Sequence, residues 1–327
     1  MAICVGDNVI LKPNPADELW QVIEVNPSIP VYVKIKGLTN RLIKVAPEDE
    51  IEIVNEITAT KILENSNLKT TLCLASISQK NRPEETILTS GENVISKIPG
   101  TVLHLDSDEN FLNKCLDYYK GKAITSHGYT MKPSEMPGRI LELLNTHNPS
   151  ILVITGHDGC TNKKEPYSLG SYLNSRYYIE SVKQARKFDR NKDNLVIFAG
   201  ACESFYEGLM ESGANFASSP KKISIHMYDP AVIASEVALT PILSRVNPAE
   251  VIAKSESSFD EIGGIDTMGA LRNGIPFNMV ALRNIIPSSI NPNMTRGNSY
   301  DYTAYFPTCP MYAYGFLCFV NRNNCYR

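Results

Sequence analysis

The sequence predicts an α/β protein, a parallel-rich sheet with helices on both faces, preceded by a small all-β module. Three observations carry that expectation. From Thr101 to Met227, short apolar runs alternate with apolar residues at helical spacing, which is how successive βαβ units read. Before them, five strand-like runs crowd into the first 55 residues. Between the two lies a polar stretch with only scattered apolar residues.

The five early runs are Val9–Leu11, Trp20–Val25, Val31–Ile35, Arg41–Val45 and Glu50–Val54, with punctuation such as Pro13-Asn14-Pro15 and Lys36-Gly37 between them. Alternation places Val31, Val33 and Ile35 on one face, and Ile43 and Val45 together on one face of the next run. So many short strands in so little chain suggest an SH3-like β-barrel over residues 1–57, either a docking module or a structural cap. Residues 58–99 read as a linker with one short helix, because polar clusters recur at 65–67, 78–83 and 90–93.

The α/β domain spans residues 100–280. Thr101–Leu105 is a strand ended by Asp106-Ser107-Asp108, a good N-cap cluster for the helix marked by Phe111, Leu112, Cys115, Leu116 and Tyr119. Lys122–Thr125 is a weaker strand, and Ile140, Leu141, Leu143 and Leu144 mark the next helix. Ile151–Thr155 is a buried strand, followed by the helix of Tyr178, Ile179, Val182 and Ala185. Leu195–Phe198 is another strand, with Phe205, Leu209 and Met210 on the helix after it, and Ile223–Met227 closes the series. Residues 281–327 form a tail of unassigned role, with nine aromatics and three cysteines between Tyr300 and Tyr326.

Composition excludes several functions. With 32 basic and 35 acidic residues the net charge is −3, which leaves no basic footprint for nucleic acid. No apolar run approaches the ~18 residues of a membrane span. The start lacks a signal-like pattern, so a cytoplasmic location with reduced thiols is expected for the eight cysteines. Neither G-x-G-x-x-G nor G-x-x-x-x-G-K-[ST] occurs, so no nucleotide cofactor is implied. His157 and Cys160 have a spacing that suits a metal, but no Cys-x-x-Cys accompanies them and no metal site is assigned.

In parallel sheets the reactive groups lie beyond the carboxyl ends of the strands. Those ends read Asp106-Ser107-Asp108, then Gly156-His157-Asp158-Gly159-Cys160, then Ala199-Gly200-Ala201-Cys202-Glu203, then Tyr228-Asp229. A histidine ending one strong strand and a cysteine ending the next would share a crevice. They suit a thiolate nucleophile, Cys202, with His157 as acid and base, and an oxyanion hole from the N–H groups of Gly159 and Cys202. Singly, Cys202 also reads as buried filler and His157 as a hydrogen-bonded rim residue. Cys160 is the other candidate nucleophile.

A strand ending in a histidine near glycine, and the next ending in Ala-Cys, resembles the caspase-like cysteine peptidases of clan CD. Residues 100–106 (GTVLHLD), 151–158 (ILVITGHD), 195–202 (LVIFAGAC) and 212–220 (SGANFASSP) are similar, more closely, to the YabG family of sporulation-specific proteases. The likeness runs over about residues 1–280. It implies a caspase-like three-layer fold and an endopeptidase that processes spore coat and cortex-associated proteins, with Cys202 and His157 in the roles above. Here Asp158 stands between the histidine and Gly159, a departure that touches the second oxyanion donor. The family's preference for arginine implies an acid in the primary specificity pocket. The end of the first strand nominates Asp106, then Asp108, both of which also read as helix caps; Glu203 and Asp229 follow. Lys80 and Arg82 in the linker are sites where such an enzyme could cut itself, Lys80 more easily because Pro83 follows Arg82. A phospho-acceptor domain lacks its lysine after the fifth strand. A non-catalytic scaffold of the spore coat is the alternative from another class.

Overall fold

The computed structural model describes residues 3–12, 18–27, 30–80 and 96–274. Five short strands open the chain: β1 (Asn8–Leu11), β2 (Trp20–Asn26), β3 (Tyr32–Gly37), β4 (Ile43–Pro47) and β5 (Ile51–Ile53). They form one antiparallel sheet in the order β4-β3-β2-β1-β5. Trp20, Val22, Val33 and Ile35 fill its core together with Leu42 and Ala46. Ile43 and Val45 share one face as expected, opposite Lys36 and Lys34 and away from Val33 and Ile35. Ile35 stands opposite Lys44 and Val33 opposite Ala46, and directly opposed residues share a face. Val45 is therefore 46% exposed. Because β4 starts at Ile43, Arg41 and Leu42 belong to the loop that follows β3.

Residues 56–80 are not a linker with one short helix but a single 25-residue helix, α1 (Glu56–Lys80). Its first half buries Ala59 and Ile62 against Ile10 and Leu19 of the module. Further along, Ile77 packs on Phe111, Met227 and Tyr228 of the α/β domain. Lys80 is its last residue, while Arg82 and the tail lie outside the described residues.

The remaining elements follow in order: β6 (Ser96–Ile98), β7 (Val102–Asp106), α2 (Glu109–Gly121), β8 (Ser126–Thr130), α3 (Met136–His147), β9 (Ile151–Ile154), α4 (Ser175–Phe188) and β10 (Val196–Ala199). Then come α5 (Tyr206–Ser212), β11 (Phe216–Ser218), α6 (Asp229–Leu239), β12 (Arg245–Val246), α7 (Pro248–Lys254), β13 (Ile262–Gly264), β14 (Thr267–Met268) and β15 (Arg272–Gly274). The main sheet has six strands in the order β13-β11-β10-β9-β7-β8, parallel except for β13. Helices α2, α6 and α7 cover Val102, Val153, Val196 and Phe198 on one face. On the other, α3, α4 and α5 cover Leu103, Leu105, Leu152, Ile154 and Ile197. Every second residue of a strand meets a different helical layer, which is why these strands read as unbroken apolar runs.

Two expected strands sit elsewhere. The weaker run at Lys122–Thr125 becomes the end of α2 and a connector, with Lys122 N–H returning to the Tyr119 carbonyl, and pairing begins at Ser126. Ile223–Met227 is outside the sheet, whose edge is completed by β11 and β13. That segment instead crosses the strand ends, with its polar backbone turned to Cys202 and Arg41. Among the described residues no helix is long and apolar enough to cross a membrane.

Candidate active site

β7, β9 and β10 are adjacent, so the residues following them meet in one crevice. His157, two residues beyond Thr155, is fixed through its backbone. Its N–H donates to Ser107 Oγ (3.0 Å), and its carbonyl accepts from Asn174 Nδ2 (2.8 Å) and the Tyr178 hydroxyl (2.9 Å). The ring is buried, lies against Phe111 with centroids 5.6 Å apart, and places Nε2 3.0 Å from the Gly37 carbonyl. A carbonyl only accepts, so Nε2 carries the proton. Burial lowers the imidazole pKa, and the Asp108 charge and the Gly37 carbonyl offset part of that.

Cys202 follows β10 across Gly200-Ala201. Gly200 has φ +109°, and a Cβ there would lie 2.3 Å from Ser218 Oγ. Gly200→Ala is therefore expected to cost about 2 kcal/mol or more in urea unfolding, from backbone strain plus the clash. The Cys202 thiol is fully buried. It accepts the Ile225 N–H (3.4 Å) and faces the Ile225 carbonyl (3.8 Å). Burial pushes its pKa up to about 11, partly offset by the backbone of Ile225 and Arg41 and by the Arg41 guanidinium. His157 and Cys202 thus each lie near Arg41, and each is hydrogen-bonded to backbone, of Gly37 and of Ile225.

Arg41 fills the crevice. Its side chain is completely buried, with Nη1 2.7 Å from Asp106 Oδ2, Nη2 3.4 Å from the Met227 carbonyl and 3.8 Å from Cys115 Sγ. The guanidinium lies 4.8 Å from the centre of the Phe111 ring, a cation–π contact. Burial by itself would raise the Asp106 pKa, but Arg41, His104 and the Asp108 N–H bring it down to about 2. The Arg41 carbonyl accepts the Asp158 N–H (3.2 Å), and the Ile43 N–H returns to the Asp158 carbonyl (2.8 Å), so Leu42 bridges to Asp158 as a short added strand.

The other nominated residues separate by what they touch. Asp108 caps α2, accepting from the N–H groups of Asn110 and Phe111, and pairs with Lys36 at 3.3 Å. Of the two nominated acids, Asp106 meets the guanidinium. The N–H expected from Gly159 is bound to Asp158 Oδ1 (2.9 Å), and the N–H that meets a carbonyl in the crevice is that of Asp158. Glu203 accepts the Cys160 N–H (3.1 Å) and pairs with Lys163 (3.2 Å), so it ties two loops together. Asp229 lies buried in the first turn of α6, accepting from the His226 N–H (2.7 Å) and the Ser257 hydroxyl. Among the described residues no group of three or more His, Cys, Asp or Glu could hold a metal ion.

Arg41 is the participant that sequence reasoning missed, along with Gly37 and Ser107. An arginine in the turn between two short strands ordinarily marks a solvated loop tip. Only the docking of one unit on the other buries it.

The family model described as YabG peptidase U57 matches residues 4–276. The sporulation-specific protease YabG of Bacillus subtilis (strain 168) is 43% identical over 181 residues, which is 55% of this chain and 62% of that protein's length. No solved structure matches. The family match takes in the β module, the Arg41 loop and the strand ends that carry His157 and Cys202, and on that extent the chain belongs to the YabG peptidase U57 family.

Proposed function

We propose that the chain is a sporulation-associated cysteine endopeptidase with a caspase-like arrangement, cutting after arginine in spore coat and cortex-associated proteins. The family and the printed name of the Bacillus subtilis relative support a protease of sporulation. The arginine preference rests on one observation: a guanidinium from the chain itself sits on Asp106, beside the Cys202 thiol. An arginine side chain entering from a substrate would find the same carboxylate, the same aromatic face and the same carbonyl.

The chemistry then runs in two steps. Cys202 gives its proton to His157 and the resulting thiolate attacks the carbonyl carbon of the arginine itself, the oxyanion being held by the N–H groups of Asp158 and Cys202. His157 donates its proton to the leaving amine as the C–N bond breaks. It then takes a proton from the water that hydrolyses the thioester and returns it to the departing Cys202 sulfur, which regenerates the thiol.

The test compares the parent with Cys202→Ala on a mixture of arginine-containing peptides, reading cut sites by mass spectrometry. Cuts after arginine that fall about 10³-fold or more in the variant are expected. Undiminished cutting would move the nucleophile to Cys160, and a chain inert under every condition would be a coat scaffold.

A further inference from the structure

We infer that the loop between β3 and β4 is the enzyme's own inhibitor: it seats Arg41 in the substrate crevice and keeps the peptidase latent until the loop is withdrawn. This rests on the cysteine-peptidase reading above and adds the regulation of that site.

The loop occupies every functional part of the crevice at once. Its arginine holds the acid that a substrate arginine needs, at 2.7 Å. Its backbone takes the edge where a substrate would lie, through the Asp158 N–H to Arg41 carbonyl bond and the Ile43 N–H to Asp158 carbonyl bond. The approach is so close that a Cβ on Gly159 would lie 2.0 Å from the Ile43 carbonyl oxygen. The carbonyl of Gly37, at the root of the same loop, accepts the hydrogen bond from His157 Nε2–H at 3.0 Å. Cys202, beneath it, is 0% exposed.

The loop is also posed to resist cutting. The Leu42 N–H, which would be the leaving amine, donates to Asn40 Oδ1 (3.0 Å) while the imidazole is turned to Gly37. The Leu42 side chain is locked in the core of the β module, and its carbonyl accepts the Gly37 N–H (2.9 Å). The Leu42 side of the Arg41–Leu42 bond is thus held by the module itself, and the Arg41 side by Asp106, Met227 and Asp158 of the α/β domain. A charged residue buried merely to join two units would need its carboxylate partner, but not the catalytic histidine or the thiol's cover. Here all three converge on one five-residue loop (38–42), its root Gly37 and the first residue of β4, Ile43.

The experiment uses four proteins, each the whole chain: the parent, Arg41→Ala, Asn40→Gly and Arg41→Ala with Cys202→Ala. Asn40→Gly keeps the ion pair and loosens only the turn, so it carries the comparison if Arg41→Ala does not fold by circular dichroism. Two readouts are taken: hydrolysis of a blocked arginine aminomethylcoumarin amide, and alkylation of Cys202 by iodoacetamide mapped by mass. The expected result is a rise of about tenfold or more in kcat/KM and in Cys202 alkylation for both loop variants, no hydrolysis by the double variant, and a parent uncut at Arg41–Leu42. A parent as active and as readily alkylated as the loop variants would overturn the inhibitor and leave the peptidase standing. Scission at Arg41–Leu42 accompanied by a gain of activity would make the loop a substrate and also overturn it. Loop variants that alkylate quickly yet hydrolyse nothing would overturn the peptidase reading and the inhibitor with it.

Discussion

Asp106→Ala is expected to lower the thermal midpoint by on the order of 10 °C. It leaves the completely buried Arg41 guanidinium without its carboxylate, and breaking a buried pair from one side costs about 3–5 kcal/mol. The exposed pair Arg139–Glu142, at 49% and 64% exposure, is the internal control: Glu142→Ala should move the midpoint by less than about 2 °C. Replacing both partners together, Arg41→Met with Asp106→Leu, should recover most of the loss, because neither side is then left charged and dry. The pair also has a pH signature. Asp106 is held at about 2, below its ordinary 3.8, so its contribution is complete above about pH 4 and is lost as pH falls through about 2. Scanning calorimetry of the three variants between pH 2 and 7 reads both effects. Equal costs for the buried and the exposed pair would contradict the argument.

Asp158 should act in the opposite sense. Its carboxylate accepts from Gly159 N–H (2.9 Å), Asn174 N–H (2.8 Å), Ser204 Oγ (2.9 Å) and the Ser175 hydroxyl, and so binds the His157 loop, the start of α4 and the Cys202 loop together. Burial nevertheless dominates and raises its pKa to about 6, with those four donors offsetting only part. A raised folded pKa means that the native state holds the proton more tightly than the unfolded chain. The stabilisation is therefore full below about pH 3.8 and is lost as pH rises through about 6, a change of roughly 3 kcal/mol. Urea midpoints of the parent should fall across that window, and Asp158→Asn should flatten this part of the slope. Asp229, raised by burial to about 7, contributes a similar slope that the Asp158→Asn variant retains. Asp158→Ala, which removes four acceptor contacts at once, should disorder the crevice and abolish hydrolysis even with Cys202 and His157 intact.

Much of the α/β domain was legible because its strands are covered on both faces. Ile151–Ile154 and Val196–Ala199 are buried at every position, which leaves an unmistakable apolar run. The rule that reactive groups gather at strand ends pointed to His157, Cys202 and Asp106, which the structure places around Arg41. Ile223–Met227 misled for the same reason that it matters: apolar residues that line a crevice look like apolar residues that line a sheet. The 25-residue helix α1 was hidden by the reverse effect. Most of its surface faces solvent, and its buried residues Ala59, Ile62 and Ile77 divide between two different partners, so no continuous stripe appears. Arg41 left no trace at all, since its burial depends on a surface contributed by residues more than sixty positions away.

α1 packs on both units and keeps the Arg41 loop on the same molecule as the crevice it fills. A ligand tethered in this way has an effective concentration fixed by the connection, on the order of millimolar for short links, and dilution does not lower it. Protein at nanomolar or micromolar levels would be equally closed. A dispersed arginine-bearing chain at micromolar concentration competes against an occupant roughly a thousandfold more abundant at the site. On the proposal that this loop is an inhibitor, polypeptide packed into a dense solid layer would compete on nearly even terms, and crowding of the target, more than its affinity, would set where cutting begins.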